Sequence, residues 1–292
     1  MPELPEVEAL AADLRERAVG RVIDQAFVTE FSVMKTYDPP LTALHGATLS
    51  GTSRRGKFLD LAAAPADGGP PLHLVTHLAK AGWLRWRDEL PEQPPRPGKG
   101  PLAFRLRLTD GAGFDLTEAG TRKRLAVYLV RDIADIPNVA SLGPEPLDPA
   151  FTPQVLGSIL AGRRTQIKGV LRDQRLIAGI GNAYSDEVLH AAKMSPFRLA
   201  SSLSPDEVEA LHAVIVGTLQ EAIGRSDGLA ASDLKKEKKA GLRVHGRTGE
   251  ACPVCGDTVR EVSFADSALQ YCPTCQTGGK PLADRRMSRL LK

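Results

Sequence analysis

All four cysteines of the chain fall within 24 residues, as Cys252-Pro-Val-Cys255, sixteen intervening residues, and Cys272-Pro-Thr-Cys275. Each CxxC knuckle lets two thiolates converge from one tight turn. Two knuckles at this separation can surround a single tetrahedral ion while the segment between them forms a hairpin. Two disulfides would satisfy the same spacing. However, the chain opens MPELPEVEAL, with acids where a secretory leader carries basic residues, and no run approaches the roughly 18–20 apolar residues of a membrane span. A cytosolic chain is expected from this, and cytosolic proteins rarely keep disulfides. One zinc ion is therefore the expected cofactor. Four thiolate ligands leave no open coordination position, so the ion would be structural and not catalytic.

At 292 residues, 42% of them hydrophobic and 25% charged, the chain has the size for two domains and an ordinary globular composition. Leu4, Val7, Leu10, Ala11 and Leu14 recur at helical spacing. Short β-rich runs follow at 22–28, 47–50, 58–61, 73–76, 102–108 and 125–130, which argues for a sandwich or barrel. The proline-rich stretch 91–100 reads as a loop, and 132–150, with four prolines, reads as a linker. Beyond it, apolar stripes at 155, 156, 159 and 160 and at 167, 170 and 171 are helical. Ser204-Pro205-Asp206-Glu207 is a helix start, with a serine cap, proline in the first turn and glutamate three residues on.

Net charge is only +3, but it is unevenly spread. Between 225 and 247 stand seven Lys or Arg against three acids, and the tail after Lys280 adds Arg285, Arg286, Arg289 and Lys292 against Asp284. Such a distribution suits a polyanionic partner, although a solvated helix face and a frayed tail would look the same.

Three further clusters carry chemistry. Met1-Pro2-Glu3 would expose a secondary amine once the initiator is removed. A chain-terminal amine has a pKa of ~8, so a neutral, nucleophilic fraction exists near neutrality, and Glu3 stands beside it as a general acid. Many chains begin Met-Pro, so this start alone says little. Arg54-Arg55-Gly56-Lys57 leads into an apolar run and reads either as a phosphate-gripping turn or as a charged hairpin. Asp173-Gln174 followed by Gly179-Ile180-Gly181-Asn182-Ala183-Tyr184 reads as a glycine turn after which a helix restarts at Asn182. Exposed N–H groups there would receive a phosphate, with the Asn182 side chain as a further donor. No strand precedes the turn and the third glycine of a dinucleotide fingerprint is missing.

The order of these motifs, from Pro-Glu-Leu-Pro-Glu through Arg-Arg-Gly-Lys and Gln174-x6-Gly-Asn-x-Tyr to the paired CxxC finger, resembles the formamidopyrimidine-DNA glycosylase and endonuclease VIII family over about residues 2–279, and its start resembles the formamidopyrimidine branch. The resemblance implies an α+β protein. A β-sandwich with a leading helix (1–131) and a linker (132–150) would precede a helix-two-turns-helix domain (151–243), a four-cysteine zinc hairpin (244–279) and a basic tail (280–292), with DNA lying between the two domains. It implies a monomeric, bifunctional glycosylase and abasic-site lyase acting on double-stranded damaged DNA, with oxidised purines as default substrates. Pro2 would be the nucleophile at C1′, Glu3 the acid that opens the sugar, Glu6 an arranging group and Lys57 a supporting phosphate-binding lysine. His77, Lys168 and Asn182 would contact the DNA backbone, and Arg122 or Arg124 would enter the helix.

The sequence departs from the family pattern in three places. Ser267 stands where the zinc hairpin usually carries a phosphate-gripping arginine, with Arg260 and the run 235–239 as candidate substitutes. Lys80 replaces the usual wedge methionine, and no phenylalanine accompanies Arg122, Lys123 and Arg124. The segment near 224–241, where the family closes a loop over an oxidised purine, is unlike the usual form. Other lesions (oxidised pyrimidines, abasic sites or crosslinks), a damage-binding protein without turnover, and an unrelated enzyme carrying a zinc adaptor are the competing expectations.

Overall fold

A computed structural model describes residues 1–98, 100–120, 123–264 and 267–283. The chain divides into two compact units, Met1–Ser141 with Ser226–Lys235, and Leu142–Arg225 with Lys236–Lys292.

The first unit opens with α1 (Leu4–Ala18), whose Leu4, Val7, Leu10, Ala11, Leu14 and Ala18 are all buried on one stripe. Glu3 caps it reciprocally. Its side chain accepts the Glu6 N–H, and the Glu6 carboxylate accepts the Glu3 N–H at 2.8 Å. Eight strands follow: β1 (Ile23–Val28), β2 (Thr48–Arg55), β3 (Phe58–Ala64), β4 (Leu72–His77), β5 (Gly82–Arg87), β6 (Leu102–Leu108), β7 (Gly113–Glu118) and β8 (Ala126–Val130). They form two antiparallel four-stranded sheets, ordered β1-β6-β7-β5 and β2-β3-β4-β8. Leu59, Leu61, Leu74 and Leu129 from one sheet share a core with Phe104, Leu106, Phe114 and Leu116 from the other and with the apolar face of α1.

Sequence alternation marks neither β5 nor β7, and it stops β2 at residue 50 where the strand runs to Arg55. In β5 and β7 the pattern is interrupted by Arg85 and Asp115. Their place becomes intelligible only in register, where Asp115 lies opposite both Arg85 and Arg105. Arg105 grips it through two hydrogen bonds of 2.7 and 3.0 Å.

The segment Ser226–Lys235, expected within the helical domain, groups instead with this first unit. Leu234 and Ala231 are buried in the sandwich core, and Leu229 packs against it. Trp83 donates its indole N–H to the Ala231 carbonyl at 2.9 Å, and the Lys235 ammonium lies 4.5 Å from the Trp83 ring centre.

The expected linker at 132–150 is not uniform. Its first half holds a 3-10 turn (Ile133–Asp135) and the short α2 (Pro137–Ala140). Its second half is fixed to the second unit, where the Gly143 N–H reaches the Gln174 carbonyl and the Ala178 N–H the Pro144 carbonyl. A Cβ at Gly143 would meet the Leu176 and Arg175 backbone at 2.6–2.8 Å, so only glycine allows this approach.

The second unit contains α3 (Pro153–Leu160), α4 (Ile167–Arg172), α5 (Asn182–Ala191) and α6 (Pro205–Ser226), which runs into the first unit at its last residue. The Ser204 capping box forms as expected, with Glu207 N–H donating to Ser204 Oγ and Ser204 N–H to the Glu207 carboxylate. Helix α7 (Leu234–Gly241) carries the basic run, and the hairpin of β9 (Arg260–Ser263) and β10 (Ala268–Tyr271) leads to α8 (Pro273–Thr277). Among the described residues no helix is long and apolar enough to cross a membrane.

Leu10 has no exposed surface in the sandwich core. Leu10→Ala should lower unfolding free energy by about 2–5 kcal/mol, measured by urea denaturation. A loss below about 1 kcal/mol would contradict the packing of α1 against the sheets.

Candidate functional site

In the first unit, the start of α1 and the β2–β3 turn are held together by one arginine. Arg54 Nε donates to Glu8 on α1 at 3.0 Å and its Nη1 donates to the Gly56 carbonyl at 2.9 Å. The Arg54 side chain is therefore committed to structure and not to phosphate. The turn itself needs glycine, because Arg55 and Phe58 pair across only two residues and Gly56 has φ 54°. Lys57 follows it and is buried. At the N-terminal end Met1 is exposed while Pro2, Glu3 and Glu6 are buried, so the amine that removal of Met1 would create belongs to a buried residue immediately before the helix cap.

His77 ends β4 directly across from Phe58, with ring centres 4.8 Å apart. Burial, helped by the nearby Lys57 charge, pulls its imidazole down to about 4. Near neutrality His77 is uncharged and can offer a phosphate a hydrogen bond but no ion pair. Of the other residues expected to touch DNA in this unit, Arg124 is exposed, and its backbone N–H donates to the buried Glu118 carboxylate at 2.7 Å. Arg122 lies outside the described residues. Lys80 is exposed.

In the second unit, the turn between α4 and α5 is braced by Gln174. Its side chain donates to the Ile180 carbonyl at 2.6 Å and accepts the Gly179 N–H at 2.9 Å, with Gly179 at φ 84°. Helix α5 then restarts at Asn182, capped by Gly181. Asn182 Nδ2 donates to the Ala268 carbonyl on β10 at 2.7 Å; among the described residues its second N–H takes no acceptor and its buried Oδ1 meets no donor.

Lys168 does not reach the surface. Its ammonium is buried behind the first turn of α5, bonded to Asp186 at 2.6 Å, Ser185 Oγ at 2.8 Å and the Asn182 carbonyl at 3.2 Å. The expectation that it touches DNA is replaced by a contact with the residue expected to do so. Sequence reading also passed over the acids after Ser185. Glu187 accepts the N–H groups of Arg243, Val244 and His245 at 2.7, 3.0 and 2.8 Å, while burial pushes its carboxyl above the usual value. The signal was available in principle, since Asp186 and Glu187 are acids in a helix flanked by apolar residues and leave it no polar outer face.

Cys252, Cys255, Cys272 and Cys275 place their sulfurs within 4.8 Å of one another, with Cys252–Cys275 at 3.9 Å and Cys255–Cys272 at 3.3 Å. A tetrahedron with ~2.3 Å zinc–sulfur bonds has sulfur–sulfur edges of ~3.8 Å, so this cage fits zinc. The remaining shell fits as well. His190 Nε2 of α5 lies 3.3 Å from Cys252 Sγ, and burial lowers the imidazole pKa. At the hairpin tip, Ser267 accepts the Phe264 N–H through its carbonyl at 2.7 Å, and Phe264 is exposed. Of the basic run, Lys235 and Lys238 cover the Trp83 and Tyr184 rings, while Lys236 and Lys239 are exposed.

Three family models match the chain: the formamidopyrimidine-DNA glycosylase N-terminal domain over 1–127, its helix-two-turns-helix domain over 142–233, and the zinc finger found in these glycosylases and isoleucyl-tRNA synthetase over 249–278. A formamidopyrimidine-DNA glycosylase of Symbiobacterium thermophilum is 40% identical over 98% of this chain and 93% of its own. An uncharacterized formamidopyrimidine-DNA glycosylase-like protein of Mycobacterium tuberculosis is 59% identical over 55% of this chain and all of its own. The Lactococcus lactis enzyme, solved with DNA containing an abasic site, superposes with a TM-score of 0.80 at 29% identity, covering 94% of this chain and 99% of that one. The finger match and the four-sulfur cage together identify one structural zinc site. With models matched across both units and a relative aligned along nearly the whole length, the chain belongs to the formamidopyrimidine-DNA glycosylase family and is a DNA glycosylase.

Proposed function

We propose that the chain is a bifunctional DNA glycosylase and abasic-site lyase whose nucleophile is the amine of Pro2, with oxidised purines as substrates. The observation that carries this reading is the burial of Pro2 and Glu3 at the Glu3–Glu6 helix cap, with Arg54 tying α1 to the Gly56–Lys57 turn. The Pro2 lone pair attacks C1′ of the damaged nucleotide, and the bond to the base breaks with its electron pair leaving on the base. Glu3 delivers a proton to the ring oxygen, the sugar opens, and a Pro2–C1′ iminium forms. Loss of a C2′ proton expels the 3′ phosphate, a second elimination expels the 5′ phosphate, and water releases Pro2. Lys57, neutral His77 and Asn182 hold backbone phosphates, and the target base leaves the stack before reaction. The substrate class rests on the names of the relatives, since a formamidopyrimidine is a ring-opened purine.

A second reading is a damaged-DNA-binding protein without turnover. It is favoured by Ser267, a neutral residue where the resemblance leads one to expect a cation.

Borohydride should trap the protein on duplexes carrying 8-oxoguanine or an abasic site, and the crosslink should vanish in Pro2→Gly or in an N-terminally extended protein. Tight binding without any crosslink would sink the lyase mechanism and leave the binding reading. The same duplexes with an oxidised pyrimidine test the substrate class by which one traps best.

Zinc content should be one ion per chain by elemental analysis, and stripping it with a chelator should abolish duplex binding. Retained binding by the metal-free protein would separate the finger from the DNA grip.

The His77 imidazole titrates at 6.5 when unfolded and about 4 when folded, so the folded protein binds fewer protons between those values. Its contribution to stability is complete above pH 6.5 and is lost as the pH falls toward 4. In His77→Gln the fall of the urea midpoint across that window should be shallower than in the parent. Superimposable profiles would contradict it.

A further inference from the structure

The groups behind the first turn of α5 form a closed polar circuit. The Asn182 side chain donates to the Ala268 carbonyl on β10. Two residues along that strand, the Gln270 N–H donates to Asp186 Oδ2 at 3.2 Å. Asp186 Oδ1 binds the Lys168 ammonium at 2.6 Å, and Lys168 returns to the Asn182 carbonyl. A second branch enters at His245, whose Nδ1 lies 2.7 Å from Asp186 Oδ2 and whose backbone N–H is held by Glu187.

Among these groups Asp186 is the junction. Its side chain has no exposed surface, so it cannot touch DNA. An ammonium beside a helix N-terminus is opposed by the helix dipole, and its burial is unfavourable unless an anion and hydrogen bonds replace water. Asp186 supplies that anion. Its second oxygen takes donors from β10 and from the segment leading to Cys252, so one carboxylate fixes both the α5 turn and the zinc hairpin.

We propose that Asp186 is a positioning residue for DNA binding, joining the Asn182 anchor and the zinc hairpin into one gripping element. This rests on the reading that Asn182 holds a backbone phosphate. Asp186 acts through Asn182: it holds Lys168 against the Asn182 carbonyl and β10 against the Asn182 side chain, so the remaining Asn182 N–H and the neighbouring helix N–H groups keep one orientation.

The test compares Asp186→Asn, Asn182→Ala and the double variant as full-length, zinc-loaded proteins. Binding is read by fluorescence anisotropy on a duplex with a tetrahydrofuran abasic analogue across a salt series. Each single variant should bind about tenfold more weakly, and the double variant no more weakly than either, because both act at one phosphate. The slope of log affinity against log salt should stay as in the parent, because the amide and backbone N–H groups are neutral donors that release no counterions, and in turnover the loss should fall on KM and not on kcat. Wild-type affinity in Asp186→Asn overturns the proposal, as do losses that add in the double variant. Full affinity in Asn182→Ala overturns the anchor reading itself, and this proposal with it. Should Asp186→Asn lose zinc or melt early, the paired Lys168→Met, Asp186→Leu variant removes both buried charges. Folded, zinc-loaded and still about tenfold weaker in binding, it supports the proposal; folded with wild-type affinity, it overturns it.

Discussion

Each unit is organised by a carboxylate that has exchanged water for protein donors at the start of a helix. In the first unit Glu6 turns back onto the Glu3 N–H, which sets where Pro2 lies. In the second, Asp186 and Glu187 stand inside the first turns of α5 and collect donors from α4, from 243–245 and from β10. A buried carboxylate left short of donors is strongly unfavourable, whereas a fully hydrogen-bonded one rigidifies its surroundings. The geometry of both helix starts follows from that requirement, and the proposed nucleophile Pro2 and the proposed phosphate anchor Asn182 stand at those starts.

Cations in this protein divide into two kinds. Arg54, Arg105 and Lys168 are consumed in holding elements together, and Lys235 and Lys238 lie over aromatic rings. Lys236 and Lys239 remain exposed on α7. A count of basic residues therefore overstates the charge free for a polyanion. His77, neutral near pH 7, adds nothing to that charge.

The sequence announced most of the architecture because its signals are local. The CxxC pairs, the Ser204 box, the apolar stripe of α1 and the glycine turn before Asn182 each need only a few neighbouring residues to be read. What escaped depends on partners far along the chain. Asp115 in β7 makes sense only beside Arg85 and Arg105, and Lys168 reads as a DNA ligand until Asp186, eighteen residues later, takes its charge. The reassignment of 226–235 is of the same kind: Leu234 and Ala231 read as ordinary helix and loop residues until a tryptophan 148 positions before Ala231 receives them.

That strap has a consequence for how the protein can be taken apart. The polypeptide passes between the units three times, at 141/142, 225/226 and 235/236, so they are not beads on one string. A nick in the 132–150 region would cut the residues before it from the rest of the chain, yet the segment 226–235, packed in the sandwich core, would stay covalently continuous with α6 and α7. A fragment expressed only to residue 141 would lack Ala231 and Leu234, leaving a hollow in its interior and the Trp83 indole without its carbonyl partner. The sandwich is thus completed by sequence from the far half of the chain, and a cut at residue 141 would divide its core.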